Sequence, residues 1–281
     1  MASVYLPSLL KFRSYPVVDG YILTSDGIAA LHGGPKYAAG VSVMTGTNRD
    51  EFGILLPAPG KTTNGTEYIQ QLSSALGSDV SLLFQLVSLP IPVSAEDAFN
   101  LLVRIGTDGA FRCLDQALAA SAARHGSFAA IYRFEFNRTY QVPRYTNRYC
   151  SAPRSTAKPF GDPDAEYLKC HAGEKIYVFG NLCRDRDMPD RDGRDGRMSQ
   201  FVLDQWASFA RTGDPNPNEG YLQARGYGST AERIRTTERW EPVVADRPQM
   251  RLQQWNAKQV DFADSDNCDA LGFPLNYYDR T

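Results

Sequence analysis

The amino-acid sequence predicts an α/β fold. Short apolar segments between glycines, rich in β-branched and aromatic residues, are typical of strands, and they alternate with segments whose apolar residues recur every three or four positions, as in helices. The chain has 281 residues, of which 42% are hydrophobic and 22% are charged. This composition excludes a disordered, collagen-like or low-complexity chain, and the alternation favours a sheet flanked by helices.

Two strands and three helices are predicted in the first half of the chain. The helix that begins at Ser94 has a weak capping box, and the next helix ends before Gly126. That last helix is expected to point Phe111, Leu114 and Leu118 inward. In chain order, the predicted elements are a strand at 41–45, helices at 66–76, from 94 and at 108–124, and a strand at 129–136.

The second half is predicted to hold one long helix, one edge strand and extended loops. Residues 198–211 form the clearest helix, which ends at Gly213. A short strand at 250–255 is expected at the edge of the sheet. Four prolines between 138 and 167 predict a loop, which is followed by a short apolar segment at 176–179.

Charge and hydropathy exclude several classes of protein. Thirty Lys and Arg residues against 32 Asp and Glu residues give a net charge of −2, so neither nucleic acid nor an anionic membrane is expected as a partner. No apolar run approaches the roughly 20 residues of a membrane-spanning helix. Residues 1–12 lack a basic leader and contain Pro7, so they are not typical of a signal peptide.

Three histidines are candidates for chemistry. His125 lies at a predicted helix end, where its charge would complement the helix dipole, and His32, followed by two glycines, is expected in a surface turn. His171 lies between a loop and an apolar segment, and its small neighbours leave the imidazole room to face a cleft. From position alone, a structural role is favoured for all three.

A polar turn directly follows the strand at 41–45. It runs from Gly46 to Gly53 and contains Asp50 and Glu51. Because functional groups gather beyond the carboxyl ends of strands in α/β sheets, a carboxylate here could orient a histidine and stabilise its imidazolium. A solvated polar turn without a function is the alternative, which the residues alone leave open.

An aspartate-rich loop falls short of a calcium site. Asp190, Asp192 and Asp195 are accompanied by glycines, but Arg194 interrupts the D-x-D-x-D-G spacing that such a loop requires. A solvated loop is expected instead. Neither a metal nor an organic cofactor is predicted for the chain.

Five segments match motifs of one protein family. Residues 46–51 match the motif G-x-N-x-D-E, and residues 171–180 are similar to a motif of H-G-x-E followed by an aromatic-Val-Phe-Gly run. The other matches are the P-V-V-D-G segment at 16–20, the helix and turn at 206–216, and an ending at 268–278 similar to that of fungal members. Together these motifs resemble the type-B carboxylesterase (cholinesterase-like) family of α/β-hydrolases.

The resemblance implies part of a catalytic triad. Glu51 would be the acid, His171 would be the general base, and Glu174 would be a second carboxylate near the histidine. It also implies two disulfides. The implied pairs are Cys113 with Cys268 and Cys150 with Cys170, which leaves Cys183 free.

The expected location follows from the cysteines and two sequons. Disulfides persist in oxidising compartments, so the full-length parent is expected to be secreted. Sequons for N-glycosylation at Asn64 and Asn137 agree with this location, although each is weak evidence alone.

The sequence departs from the family pattern at two positions. Phe52 stands where the family usually has glycine after the acid, and this bulky residue is expected to shift the turn unless Gly53 absorbs the change. Ala172 replaces the common glycine after the histidine, which is a milder departure.

No G-x-S-x-G motif occurs in the chain. In α/β-hydrolases the nucleophile precedes the acid and the histidine. Residues 1–281 are therefore expected to be the C-terminal portion of a single type-B carboxylesterase domain. This is the C-terminal half of an α/β-hydrolase fold, with an incomplete central sheet, flanking helices and no nucleophile elbow. Alone, the chain is expected to be inactive and poorly soluble, because the other half would cover an open sheet edge.

Two functions remain open at this point. In a complete enzyme, the chain would serve a carboxylic-ester hydrolase that acts on a small-molecule or lipid ester, with acyl and alcohol preferences that the sequence does not specify. The alternative is a non-catalytic remnant, pseudoenzyme or interaction module. A separate N-terminal half chain is a candidate partner in either case.

Overall fold

The computed structural model describes residues 17–34, 40–60, 64–141, 148–182 and 188–280. These residues form two compact units. The first takes its residues from Met1–Gly40, Leu55–Ala129 and Phe262–Thr281, and the second from Val41–Ile54 and Ala130–Asp261. The segment at 1–12, which is not typical of a signal peptide, and Cys183 lie outside the described residues.

Strands and helices alternate along the described chain, so the predicted α/β class is confirmed. The helices in chain order are α1 (Gly27–His32), α2 (Gly65–Leu76), α3 (Ser81–Leu86), α4 (Ala95–Thr107), α5 (Cys113–His125), α6 (Lys175–Val178), α7 (Asp195–Thr212), α8 (Glu219–Ala224), α9 (Gly228–Thr236) and α10 (Ser265–Ala270). Short 3₁₀ turns occupy Glu51–Ile54, Arg148–Cys150 and Tyr277–Asp279. Among the described helices, none is long and apolar enough to cross a membrane.

The second unit contains a four-stranded sheet in the order β1-β2-β3-β4. The strands are β1 (Ser42–Asn48), β2 (Ala130–Phe136), β3 (Gln249–Gln253) and β4 (Lys258–Asp261). The first three are parallel, and β4 is antiparallel to β3. The prediction of an edge strand at 250–255 is therefore wrong, because β4 lies outside β3. With its charged ends, β4 has the short, polar character of a protected sheet edge.

Gly46 allows β1 to approach β2 closely. It pairs in register with Phe134, and a Cβ atom at position 46 would lie 2.3 Å from the Phe134 carbonyl oxygen. Only glycine avoids this overlap, which explains its place in the sequence motif. Within the described part of the chain, β1 has a neighbouring strand on one side only.

Helix α7 covers one face of this sheet, as its apolar stripe predicts. Phe201 and Val202 are buried, and Gly213 ends the helix in the left-handed conformation with φ 74°. Aromatic rings from the helix, β2 and a following loop meet edge to face or tilted, with Trp206 5.1 Å from Phe134 and 5.7 Å from Trp240 between ring centroids. This aromatic layer fixes β2 and hence the end of β1 beside it.

In the first unit, helix boundaries agree with the local sequence signals. Asn64 caps α2 in a capping box with Glu67, Ser94 caps α4, and Gly126 ends α5 with φ 59°. The burial predicted for α5 is wrong in part, since Leu118 is 42% exposed. Its buried face is built largely of small side chains, Cys113, Ala117, Ala119, Ala120 and Ala122.

The aspartate-rich loop is only partly solvated, since Asp195 is buried and Asp190 and Asp192 are half-buried, which corrects the expectation for residues 190–195. The Asp195 carboxylate is fully buried and accepts hydrogen bonds from Arg138 Nη2 (2.7 Å), Arg191 Nε (2.7 Å) and the Tyr177 hydroxyl (2.6 Å). Burial would raise the pKa of Asp195, but these donors lower it overall. Asp190 accepts from the Gly193 amide at 2.7 Å. These carboxylates accept hydrogen bonds from arginines and backbone amides, so the loop is folded around a network of ion pairs.

Candidate active site

Glu51 lies just beyond the carboxyl end of β1. The strand ends at Asn48, and the 3₁₀ turn that follows begins at Glu51, so the side chain returns to the strand end. The Asn48 amide donates a hydrogen bond of 2.6 Å to Glu51 Oε1. Both residues are buried. One oxygen of the carboxylate is thus held by the backbone, which fixes the direction of the other.

That other oxygen contacts His171, which is 120 residues away in sequence. His171 Nδ1 lies 2.6 Å from Glu51 Oε2. The Glu51 side chain is 8% exposed, whereas the His171 side chain is 48% exposed, so the imidazole is accessible from solvent. The structure therefore brings together the two residues that the motifs selected, in the arrangement of a carboxylate that orients a histidine.

Backbone contacts between two loops hold this pair in place. Asp50 and Cys170 form an isolated parallel bridge, in which the Asp50 amide donates to the Lys169 carbonyl at 3.1 Å. The Lys169 amide donates in return to Asp50 Oδ2 at 2.7 Å. Because the residues next to Glu51 and His171 are paired in this way, the two side chains meet at a fixed distance.

The third predicted carboxylate also joins the site. Glu174 Oε2 accepts a hydrogen bond of 2.5 Å from Asn48 Nδ2. Asn48 therefore contacts both acids, Glu51 through its backbone and Glu174 through its side chain. The charge of Glu174 also contributes to raising the pKa of His171.

The pKa of His171 is raised above its ordinary value. The largest cause is the hydrogen bond to Glu51, and it outweighs the opposing effect of partial burial. Because the folded state binds this proton more tightly, the pair stabilises the fold fully below the unfolded pKa. The contribution is lost as the pH rises through the folded pKa.

Glu51→Gln is expected to lower the pKa of His171 towards its ordinary value, because the amide carries no charge to stabilise the imidazolium. An NMR titration of the histidine Cε1 protons measures this, and His171→Ala assigns the resonance. Glu232→Gln removes an exposed carboxylate on α9 and should leave the titration unchanged. An unchanged His171 pKa in Glu51→Gln would contradict the assignment of Glu51 as its partner.

The segment after β2 supports the histidine loop in a way that the sequence analysis missed. Gln141 Nε2 donates to the carbonyl oxygens of Cys170 (2.8 Å) and His171 (3.0 Å), and the Tyr140 amide donates to the Gly173 carbonyl at 3.0 Å. A Cβ at Gly173 would lie 2.6 Å from Thr139 Cβ, so this position requires glycine. A glutamine in a predicted loop carries no sequence signal for such a role.

A buried lysine precedes the histidine. Lys169 Nζ lies 3.1 Å from the centroid of the Tyr167 ring and donates to the Tyr167 carbonyl at 2.9 Å. Burial and, to a smaller extent, the nearby charge of Arg49 together lower the pKa of Lys169 to about 7. Its amino group therefore contacts the loop that precedes His171.

The first departure from the family pattern is accommodated in the turn. Phe52 is buried, and Gly53 follows it against the second disulfide. A Cβ at position 53 would lie 2.6 Å from Cys170 Sγ and 3.2 Å from Leu168 Cδ1. Gly53 is therefore required where the acid turn packs on Cys170, directly beside His171.

The second departure leaves Ala172 in a conformation that favours glycine. Its φ is 66°, in the left-handed region. A left-handed alanine costs roughly 1–2 kcal/mol relative to a right-handed one, and β-branched residues tolerate this region poorly. The family's glycine at this position is explained by the same backbone geometry.

Ala172→Val is expected to lower the free energy of unfolding by about 1–2 kcal/mol beyond any effect of Ala172→Gly, because valine adds a branched side chain at positive φ. Ala172→Gly should change it by less than about 1 kcal/mol, since relief of strain is offset by glycine's freedom in the unfolded chain. Denaturant unfolding of both variants measures this. Equal stability of the two variants would show that the backbone strain is not significant.

The structure contains both disulfides that the resemblance implies. Cys113 is bonded to Cys268 with a Cα–Cα distance of 5.4 Å, and Cys150 is bonded to Cys170 with 5.6 Å. The first joins the start of α5 to α10 in the first unit. The second lies beside the candidate site in the second unit. Two disulfides fit an oxidising compartment, such as the lumen of the secretory pathway.

The two sequons differ in accessibility. Asn64 is exposed at the N-terminus of α2, where its Oδ1 accepts from the Glu67 amide at 2.9 Å. Asn137 is half-buried, and its Nδ2 donates to Gln254 Oε1 at 2.9 Å. Of the two amides, that of Asn64 is therefore better presented to a glycosylating enzyme.

His32 and His125 belong to the first unit, whereas Glu51 and His171 belong to the second. The chain matches the family model described as "Carboxylesterase family" over residues 5–269. This match covers most of the 281 residues, so the chain belongs to the carboxylesterase family. Its four-stranded sheet with flanking helices represents part of an α/β-hydrolase fold.

Relatives with curated descriptions are also carboxylesterases. The chain is similar to "Liver carboxylesterase 1F" of Rattus norvegicus, with 26% identity over 251 residues that cover 82% of this chain and 41% of the relative. It is similar to "Carboxylesterase 3" of Homo sapiens, with 22% identity over 285 residues that cover 90% of this chain and 46% of the relative. The chain therefore spans somewhat less than half the length of these relatives.

Proposed function

We propose that the chain supplies the acid and the histidine of a Ser-Glu-His carboxylic-ester hydrolase. The observation that carries this proposal is the 2.6 Å contact between Glu51 Oε2 and His171 Nδ1 beyond the end of β1. Membership of the carboxylesterase family supplies the reaction class. Its substrates are then small-molecule or lipid esters.

The geometry supports a specific division of roles. When Nδ1 of neutral His171 donates to Glu51, the lone pair of the ring resides on Nε2. Nε2 then takes the serine proton during attack on the ester carbonyl, and later returns it to the leaving alcohol. Glu51 keeps the tautomer and stabilises the imidazolium, and Glu174 keeps Asn48 and Glu51 in place. Water finally releases the acid from the acyl-enzyme.

The serine and the main oxyanion donors are proposed to come from an N-terminal half of the same domain. No G-x-S-x-G motif occurs in these residues, and the chain covers 41% and 46% of the two relatives. An N-terminal half would have an exposed strand edge to pair with, since β1 has a neighbouring strand on one side only within the described sheet. Large apolar side chains of the first unit are also exposed, namely Val17, Val18, Tyr21, Ile22, Leu23 and Ile28.

Residues 1–281 are then the C-terminal portion of one type-B carboxylesterase domain, and its two disulfides are formed in the secretory pathway. A non-catalytic remnant, pseudoenzyme or interaction module is the second candidate function. The absence of a G-x-S-x-G motif from the 281 residues favours it. Both candidates share the expectation that the surface near β1 binds an N-terminal half.

An assay with p-nitrophenyl acetate tests the proposal on the purified 281-residue chain. Without the serine, no acyl-enzyme can form, so the chain and its His171→Ala variant should hydrolyse the ester at the same rate. Circular dichroism verifies that both samples are folded. Turnover by the chain that His171→Ala abolishes would contradict inactivity and would place a nucleophile within these residues.

A further inference from the structure

The two histidines outside the candidate site meet in the first unit. His32 is the last residue of α1, and His125 is the last residue of α5. Their ring centroids are 4.6 Å apart. Asp279, near the C-terminus, lies between them, with Oδ1 3.2 Å from His125 Nε2 and 3.7 Å from His32 Nε2. Three segments that are distant in sequence thus place two imidazoles and a carboxylate together.

The backbone of this corner is held by close packing. Ser127 Oγ donates to the Leu31 carbonyl at 2.5 Å, which ties the end of α1 to the residues after α5. A Cβ at Gly34 would lie 3.1 Å from the His125 carbonyl oxygen, so the chain after His32 passes directly over the end of α5. The convergence of the histidines therefore follows from the fold and not from long side chains that meet by chance.

We propose that His32, His125 and Asp279 form a binding site for a divalent transition-metal ion, with Zn²⁺ as the ion that fits best. The ligand atoms all lie within 4.8 Å of one another. A tetrahedral Zn²⁺ ion with bonds of about 2.0–2.1 Å holds neighbouring ligand atoms about 3.3 Å apart. The two distances to Asp279 Oδ1, 3.2 and 3.7 Å, bracket this value, so the carboxylate oxygen needs to move little relative to either imidazole.

A fourth ligand is available beside the three side chains. The Tyr278 carbonyl oxygen lies 2.7 Å from His32 Nε2. On metal binding, the proton of each neutral imidazole would occupy Nδ1, so that Nε2 offers its lone pair to the ion. The carbonyl oxygen or a water then completes the tetrahedron. Two imidazoles and one carboxylate suit zinc, whereas calcium prefers six to eight oxygen ligands.

The electrostatics of this corner favour a cation, although the nearby charge of Arg124 opposes it. Both histidines terminate helices, where the partial negative charge of the dipole attracts cations. Donors such as Ser121 and Arg124 lower the pKa of Asp279, although burial would raise it. Arg124 pairs with Oδ2, whereas Oδ1 accepts a hydrogen bond from Ser121 Oγ and also lies near the two histidines. The positive charge of Arg124 weakens the attraction for a metal ion, but the arginine does not occupy Oδ1.

Such a site would tie the C-terminal segment to α1 and α5. The three side chains are 21–35% exposed, so an ion can enter from solvent. The bound ion would add a cross-link that the unfolded chain lacks, and zinc would therefore raise the unfolding temperature of the first unit. This inference is independent of the proposed ester hydrolysis, which uses the third histidine.

Zinc titration by calorimetry on the full 281-residue chain tests the proposal. The His171→Ala background removes the candidate catalytic histidine as a competing ligand. We expect saturable binding of one zinc ion, which His32→Gln and Asp279→Asn each weaken at least about tenfold. Asp266→Asn, which removes an exposed carboxylate on α10, should leave zinc affinity unchanged, and calcium should not bind the site.

The variants are chosen to preserve the fold. Glutamine at position 32 can still donate to the Tyr278 carbonyl, and circular dichroism confirms that each variant is folded. His125→Gln replaces any variant that fails to fold. Absence of one-to-one zinc binding would overturn the proposal. Binding that persists undiminished in folded His32→Gln and Asp279→Asn would overturn it equally, because the ion would then have other ligands.

Discussion

Alanine in place of His171 is expected to lower kcat of the complete enzyme by about 10⁵–10⁶-fold, and Glu51→Gln by about 10⁴-fold. The residues of a triad act as a unit, so loss of the base removes nearly all the benefit of the nucleophile. Loss of the carboxylate lowers kcat less, because the imidazole can still accept the serine proton, although a smaller fraction of it is in the required tautomer. The order of the two effects is as diagnostic as their size.

The complete enzyme has to be prepared first. Sequencing the 5′ end of the transcript defines the open frame that contains residues 1–281, and a frame with a G-x-S-x-G motif upstream is expressed for the assay. Hydrolysis of p-nitrophenyl acetate then gives kcat for each variant, with Glu232→Gln as the matched removal of an exposed carboxylate. Full activity in His171→Ala would contradict the proposed base. A transcript without such a motif would favour the non-catalytic alternative.

Local signals in the sequence predicted local structure well. Caps and glycines defined the boundaries of α4, α5 and α7, since a capping side chain or a left-handed glycine acts within one helical turn. The turn after β1 was also evident, because it directly follows an apolar strand. Shorter elements such as α3, α8 and β4 were not predicted, because four to six residues contain too little periodicity.

Burial and pairing were harder to predict than boundaries. Asp195 was expected in a solvated loop but is buried, because Arg138 and Arg191 donate hydrogen bonds to it in the fold. Leu118 was expected to point inward but lies on an exposed face of α5. Glu51 and His171 are 120 residues apart, and only the family motifs linked them before the structure gave their 2.6 Å contact. Gln141 shows the limit, since its two hydrogen bonds to the histidine loop depend wholly on tertiary structure.

Removal of the Cys113–Cys268 disulfide is expected to lower the free energy of unfolding by about 5 kcal/mol, the largest stability effect that we predict. The bond closes a loop with a sequence separation of 155 residues, and the chain-entropy relation gives about 5 kcal/mol for such a loop. Cys150–Cys170 closes a separation of 20 residues, for which the same relation gives about 3 kcal/mol. The two bonds therefore differ mainly in how strongly they restrict the unfolded chain.

Unfolding in guanidinium chloride compares the double variants Cys113→Ala/Cys268→Ala and Cys150→Ala/Cys170→Ala with the unaltered chain. The second pair is the matched control, because both variants remove one buried disulfide and two sulfur atoms. Polar contacts near the first bond are expected to hold α10 in its absence, because Asn267 Nδ2 donates to Asp108 Oδ2 at 3.1 Å and Arg112 pairs with Asp264. With the native arrangement of α10 retained in this way, the loss of stability would report on the unfolded chain. If removing the shorter loop costs as much as removing the longer one, loop entropy is not the source, and the stabilisation arises from packing around each bond in the folded state.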